Sequence, residues 1–250
     1  MTVCRLDRGD GVTLAYDHRP GASPTVVFLP GFMSDMTGDK AAAVAAWCAL
    51  RGRACLRLDY SGHGASGGRF ADGTISRWTA DALAVIDHCT AGEIVLIGSS
   101  MGGWIALNIA RTRATEIAAL IGISAAPDFT EDLMWPAFSE ATRAKLLADG
   151  ELRTPSAYGG EQIITRALIE DGRDNLVLRA PLPITCPIRL LQGQLDPDVP
   201  WRTALRIAEH VTGADVRVTL IKDGDHRLSR PQDIALLLST LATLLGEYRL

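Results

Sequence analysis

The sequence predicts an α/β fold, with a mainly parallel central sheet covered by helices on both faces, and three observations carry that expectation. Short β-branched apolar runs alternate with helix-length periodic segments along most of the chain. Those runs are apolar throughout rather than alternating, as strands buried on both faces are. The length, 250 residues, suffices for one large α/β domain with a full core and is short for two.

The elements follow in order. Residues 2–7 and 12–18 alternate apolar and polar positions around Gly9-Asp10-Gly11, which predicts an antiparallel hairpin at one edge. Thr25–Leu29 is the first buried strand and ends at Pro30-Gly31. Asp39–Leu50 is Ala-rich and helical, closed by Arg51-Gly52. Ala54–Asp59 is a second buried strand, followed by the Gly-rich loop Tyr60–Gly68. A helix over Ile75–Cys89 precedes the strand Glu93–Ile97, and a helix over Gly103–Arg111 precedes the strand Ile117–Ile123. Strands at Ile188–Gln192 and Val216–Ile221 flank a helix over Thr203–Val211, and Gln232–Tyr248 is the closing helix.

One segment breaks the alternation. Between Pro127 and Pro187 there is no clean buried strand, only Trp135-Pro136, a polar helix around Ser139–Ala148, Tyr158-Gly159-Gly160 and a helix near Glu161–Asp171. A stretch this long between sheet strands is usually functional. We expect residues 127–187 to form a small helical cap inserted into a core of residues 1–126 and 188–250; a solvated surface insertion is the alternative.

Composition narrows the function. A net charge of −4 argues against a nucleic-acid partner, which needs a clustered basic face. Five cysteines (Cys4, Cys48, Cys55, Cys89 and Cys186) are scattered and odd in number, which favours reduced thiols over disulfides or a zinc site. With a polar Met1–Gly11 and no apolar run near the ~20 residues of a membrane span, the expectation is a soluble, cytoplasmic protein.

The chemistry centres on Gly98-Ser99-Ser100-Met101-Gly102, a G-x-S-x-G pattern set between a strand and a helix. That context is a nucleophile elbow: a strained turn whose flanking glycines let strand and helix pack closely. A serine hydroxyl needs an adjacent base, itself oriented by an acid. Asp196 follows the strand Ile188–Gln192 and His226 follows the strand Val216–Ile221, so both fall with Ser100 at the carboxyl edge of the sheet. Asp198 is the rival acid, and Asp225 could be merely a turn residue. An oxyanion hole needs two backbone amides, here expected from Met101 and Phe32, although Pro30-Gly31 could be an ordinary turn. Gly31, Trp104, Trp135 and Trp201 are candidate pocket residues, with core packing an equal alternative for each tryptophan. His63, in the Gly-rich loop, is a weaker pocket candidate. Gly62–Gly67 formally matches G-x-G-x-x-G, yet no helix follows it, so no dinucleotide is inferred. Metal-site and Walker patterns are likewise lacking, and no cofactor or metal is expected.

Pro30–Ser34, Arg57–Gly62, Gly98–Trp104, Cys186–Leu191, Asp196–Trp201 and Asp225–Arg227 together resemble the α/β-hydrolase superfamily. More narrowly they resemble the abhydrolase-domain branch of mitochondrial palmitoyl-protein thioesterases, also described as acyl-glucuronide esterases. The resemblance implies an α/β-hydrolase fold, with Ser100 as nucleophile, Asp196 as acid and His226 as base. Gln192 departs from the pattern, standing where many α/β-hydrolases have His before the Gly. The expected function is cofactor-independent hydrolysis of small-molecule acyl esters or thioesters. Acyl transfer to an alcohol or amine, a non-catalytic ligand-binding role, haloperoxidase chemistry and carbon–carbon bond hydrolysis are the alternatives. Oligomeric state is not legible.

Overall fold

The computed structural model describes residues 2–155 and 161–246. The edge hairpin is β1 (Cys4–Asp7) with β2 (Thr13–Arg19). Then come β3 (Ala22–Leu29), α1 (Asp39–Leu50), β4 (Arg53–Leu58), α2 (Ile75–Cys89), β5 (Ile94–Ser99), α3 (Met101–Thr112) and β6 (Ile117–Ile123). After an intervening segment, β9 (Ile188–Gly193), α7 (Arg202–His210), β10 (Val216–Ile221) and α8 (Pro231–Leu244) complete the chain. The sheet order is β1-β2-β4-β3-β5-β6-β9-β10. Within this sheet every pairing from β4 through β10 is parallel, and only the β1-β2 and β2-β4 pairings are antiparallel.

The continuous apolar strands are explained by what covers them. Val27, Leu29, Leu96, Leu120 and Leu190 face one core, shared with α2, α3 and α7. Their neighbours Val26, Phe28, Val95, Ile97, Ile121 and Leu191 face a second core, shared with α1 and α8. Period-two alternation therefore feeds apolar side chains to both faces. The closing helix ends at Leu244, short of the expectation; Tyr248 lies outside the described residues.

The segment between β6 and β9 departs from a purely helical reading. A π-helical turn (Thr130–Met134) runs into α4 (Trp135–Ala137), followed by α5 (Glu140–Asp149) and α6 (Arg166–Asp174). Between α5 and α6, β7 (Glu151–Pro155) and β8 (Glu161–Thr165) pair antiparallel. A strand thus occupies the first residues of the helix expected near Glu161–Asp171. Its pattern is short, and only Leu152, Ile164 and their neighbours around Leu146 and Ile169 are buried, so it offers little periodicity to read. Tyr158-Gly159-Gly160 lies outside the described residues.

The two ends of this segment are fastened together at the sheet. Asp128 is fully buried and its carboxylate accepts hydrogen bonds from the Val177 and Leu178 amides (2.8 and 3.0 Å) and from Arg179 (3.0 Å). The Trp104 indole on α3 donates to the Asn175 carbonyl at 3.0 Å. Replacing Asp128 by Ala should remove a buried acceptor from two amides and lower stability by about 2–4 kcal/mol. Urea unfolding of the variant checks this, and an unchanged midpoint would contradict it.

Candidate active site

The elbow is built from missing side chains. Ser100 sits at φ 53°, ψ −118°, in a region that costs a non-glycine residue on the order of 1–3 kcal/mol. The turn closes because nothing projects from its glycines: a Cβ on Gly98 would lie 2.3 Å from the Gly102 carbonyl oxygen, and one on Gly102 would lie 2.1 Å from that of Leu29. The Ser100 amide donates to the Ile123 carbonyl at 2.9 Å, and the Ser100 carbonyl accepts from Ala126 at 3.1 Å, which pins the elbow to β6. Helix α3 begins at the next residue, so its positive end lies at the serine.

The two expected partners reach Ser100 from the adjoining strand ends. His226 Nε2 lies 3.1 Å from Ser100 Oγ, and His226 Nδ1 lies 2.9 Å from Asp196 Oδ2. Since the carboxylate can only accept, Nδ1 carries the proton and Nε2 presents its lone pair to the serine hydroxyl. The arrangement is able to take the Ser100 proton as the oxygen attacks. Asp196, whose side chain is fully buried, also receives the Asp198 and Val199 amides on Oδ1 at 2.9 and 2.8 Å. Burial pushes its carboxyl up, but the bonds from His226 and these amides outweigh it and hold the group below the usual carboxylate range. Asp198 is exposed on the same turn, and Asp225 accepts the Leu228 amide at 2.9 Å, as a turn residue does.

Gln192 stands where many α/β-hydrolases have His. It is buried, and its Nε2 donates to Asp196 Oδ2 at 3.0 Å and approaches the carbonyls of Gly193 and Val199 at 3.3 Å each. The amide thus supplies the acid with a second donor. Asp196, Asp198 and His226 also bring ligand atoms within 4.8 Å of one another.

A cavity of about 830 Å³ opens over Ser100 and His226. Its lining includes the apolar Phe32, Phe129, Leu133, Met134, Phe138 and Ile164 and the polar Asp35, Lys40, Arg227 and Ser229. The Lys40 ammonium donates to the Arg227 carbonyl and to Ser229 Oγ, the latter at 3.2 Å. Burial, aided by the Arg227 charge, pulls it down to about 8.

Of the expected pocket residues, Gly31 lines this cavity and the three tryptophans do not. Trp104 is wholly buried in the core beneath the site, with Phe129 against it at 5.5 Å. Trp135 turns away between the guanidinium groups of Arg143 and Arg173, 5.1 and 4.8 Å from its ring. Trp201 precedes α7 and is covered by Arg202 at 4.3 Å. Helical and loop side-chain direction, which spacing does not reveal, decides all three. The Gly31 backbone passes close to Ser100, where an added Cβ would lie 3.4 Å from Ser100 Cβ, and Met101 opens α3.

A family model described as serine aminopeptidase, S33 (Hydrolase_4) matches residues 21–158. The chain is 38% identical to mouse mitochondrial palmitoyl-protein thioesterase ABHD10, over 99% of this chain and 86% of that protein. Identity to its human counterpart is also 38%, over 97% and 79%. Among solved structures, a protein described as a hydrolase from Agrobacterium vitis S4 superimposes with a TM-score of 0.91 at 44% identity, over 97% of each chain. The chain belongs to the α/β-hydrolase family. Mouse α/β hydrolase domain-containing protein 10 matches this hydrolase equally well, with a TM-score of 0.91 at 37% identity over 99% of each chain.

The relatives correct one expectation. The mouse and human proteins are mitochondrial by name, which overturns the cytoplasmic reading. Among the described residues no cysteine forms a disulfide. Among the described residues, no helix of this hydrolase is long and apolar enough to cross a membrane.

Sequence reasoning undervalued His63. It is buried 4% exposed, outside the cavity lining, and its Nε2 accepts the Met33 amide at 3.3 Å while Nδ1 faces the Ser61 carbonyl at 3.2 Å. Burial pushes its imidazole down to about 4. An unfolded histidine titrates near ~6.5, so between these values the unfolded chain holds the extra proton. The contribution of His63 is therefore complete above pH ~6.5 and is lost toward pH 4, about 3 kcal/mol in all. Unfolding measured at pH 7 and pH 4.5 should show a larger acid loss for the wild type than for His63→Gln. Equal losses would contradict the assignment.

Proposed function

We propose that this hydrolase cleaves acyl esters and thioesters through an acyl-enzyme on Ser100, with His226 as general base and acid and Asp196 as the orienting carboxylate. The observation that carries the reading is the unbroken path Asp196 Oδ2···His226 Nδ1 and His226 Nε2···Ser100 Oγ, at 2.9 and 3.1 Å. As Ser100 Oγ attacks the acyl carbon, its proton passes to His226 Nε2. The imidazolium that results is stabilised by Asp196, already ionised. Negative charge develops on the carbonyl oxygen and is met by the Phe32 and Met101 amides and by the positive end of α3. Collapse expels the thiolate or alkoxide, which takes the proton from His226. Water then repeats the sequence and releases the acid.

The segment 127–187 acts as the cap of this site. It contributes the apolar Phe129, Leu133, Met134, Phe138 and Ile164 to the cavity lining, against which we place the acyl chain, with the leaving group toward the polar lining residues Asp35, Lys40, Arg227 and Ser229. The thioesterase name of the mammalian relatives supports a thioester among the substrates.

Ser100→Ala should leave folding intact and lower turnover of p-nitrophenyl esters by ~10³-fold or more, the scale of triad removal. Turnover near that of the wild type would sink the assignment. A graded series of p-nitrophenyl esters and acyl-coenzyme A thioesters should also separate Phe138→Ala from the wild type. A shorter side chain in the acyl wall shifts the preferred chain upward by one or more methylenes, each worth roughly 0.8 kcal/mol when buried. An identical chain-length profile would remove Phe138 from the acyl wall.

A further inference from the structure

The loop that follows β3 carries the Phe32 amide, and this loop is held from outside the site. Tyr60, fully buried, donates its hydroxyl to the Pro30 carbonyl at 3.2 Å. His63 accepts the Met33 amide at 3.3 Å. These two bonds bracket Gly31-Phe32 on either side, and both come from the loop after β4. Met33 adopts φ 58°, which a methionine does not hold without support. The Phe32 ring is held by the same cluster, 5.0 Å from Phe70 and 5.9 Å from Trp78. His63 lies 4.9 and 5.1 Å from those two rings.

Only one protonation state of His63 serves here. A backbone amide can only donate, so Nε2 must present a lone pair, and Nδ1–H donates to the Ser61 carbonyl. Burial among aromatic rings keeps the imidazole neutral. The loop is rigidly seated for a further reason: Gly62 and Gly64, at φ 75° and 48°, leave no room for a Cβ against Phe70 and Asp59. Asp59 in turn joins the two loops, accepting the amides of Met36 at 2.7 Å and Ala65 at 2.9 Å. The glycine pattern that formally resembles a dinucleotide fingerprint thus shapes a backbone that reaches towards the oxyanion loop.

We propose that His63 and Tyr60 are positioning residues of the reaction, a two-bond clamp that aims the Phe32 amide at the developing oxyanion. Neither touches substrate. The proposal rests on the Ser100 acyl-enzyme reading and on Phe32 as an oxyanion donor. Because an oxyanion hole acts on the transition state and not on the bound ester, the clamp governs kcat rather than KM.

The test compares His63→Phe, His63→Gln, Tyr60→Phe and Ser100→Ala. His63→Phe keeps a ring but loses the acceptor, and should lower kcat about 10²-fold, the scale of one lost oxyanion donor, with KM within about threefold. It should weaken inhibition by an alkyl trifluoromethyl ketone, whose adduct places an oxyanion in the hole, by a similar factor. Binding of the matching alkyl amide should stay nearly unchanged. His63→Gln, whose side-chain oxygen can accept the Met33 amide, should recover at least about tenfold of kcat. Should His63→Phe fail to fold, Tyr60→Phe, which removes one oxygen atom, carries the test with the same split between kcat and KM. A folded His63→Phe or Tyr60→Phe enzyme with wild-type kcat overturns the clamp, as does equal weakening of ketone and amide. If Ser100→Ala itself retains turnover, the reading of the site fails instead.

Discussion

The site depends on how closely β3, β5 and α3 approach one another around Ser100. A serine at φ 53° is a strained residue, and it persists because the Ile123 carbonyl and the Ala126 amide hold its backbone from β6. The helix after it can start at once only because Gly98, Gly102 and Gly103 present no Cβ to each other, to the end of β3 or to Ala125. The same closeness brings the Pro30–Phe32 loop beside the nucleophile. One steric constraint therefore aims the hydroxyl, directs a helix N-terminus at it and sets the Pro30–Phe32 loop within reach.

Around this point the remaining parts arrive from neighbouring strand ends. In a parallel sheet all carboxyl ends lie on one edge, and the strand order puts β9 and β10, which deliver Asp196 and His226, on the same side of β5 as β6. The loops themselves are short and heavily bonded. Asp196 is held by two backbone amides and Gln192 on one side and by His226 on the other. Such a carboxylate has no freedom to rotate away from the imidazole, which keeps Nδ1 protonated and Nε2 free for the serine. The segment between β6 and β9 is tied down by Asp128 at its root and closes the cavity with apolar side chains.

Legibility in the sequence followed backbone periodicity. The bounds of α1, α2 and β6 could be read because apolar spacing and end signals such as Arg51-Gly52 coincide there. The β7–β8 ribbon was hidden, since five-residue strands with one apolar face look like the helix ends beside them. Trp135 shows the limit for side chains. Its position promised a pocket, but the guanidinium groups of two arginines lie over its ring and it does not line the cavity. His63 failed in the opposite sense: its partner, the Met33 amide, lies thirty positions away in another loop, and nothing in either stretch announces the other.

The sequence alone determined the α/β alternation, the Ser100 elbow and the placing of Asp196 and His226 after later strands. These rest on local chemistry: strand propensity, glycine conformations and which loop follows which strand. The tertiary structure decided what depends on distant groups meeting. It bonded His226 to Asp196, gave Gln192 the donor role beside that carboxylate, kept the tryptophans out of the cavity and set Tyr60 and His63 against the Pro30–Met33 loop. The reason is physical. A hydrogen bond or a cavity wall is a property of two chain segments at a fixed distance, and that distance exists only after the sheet has closed.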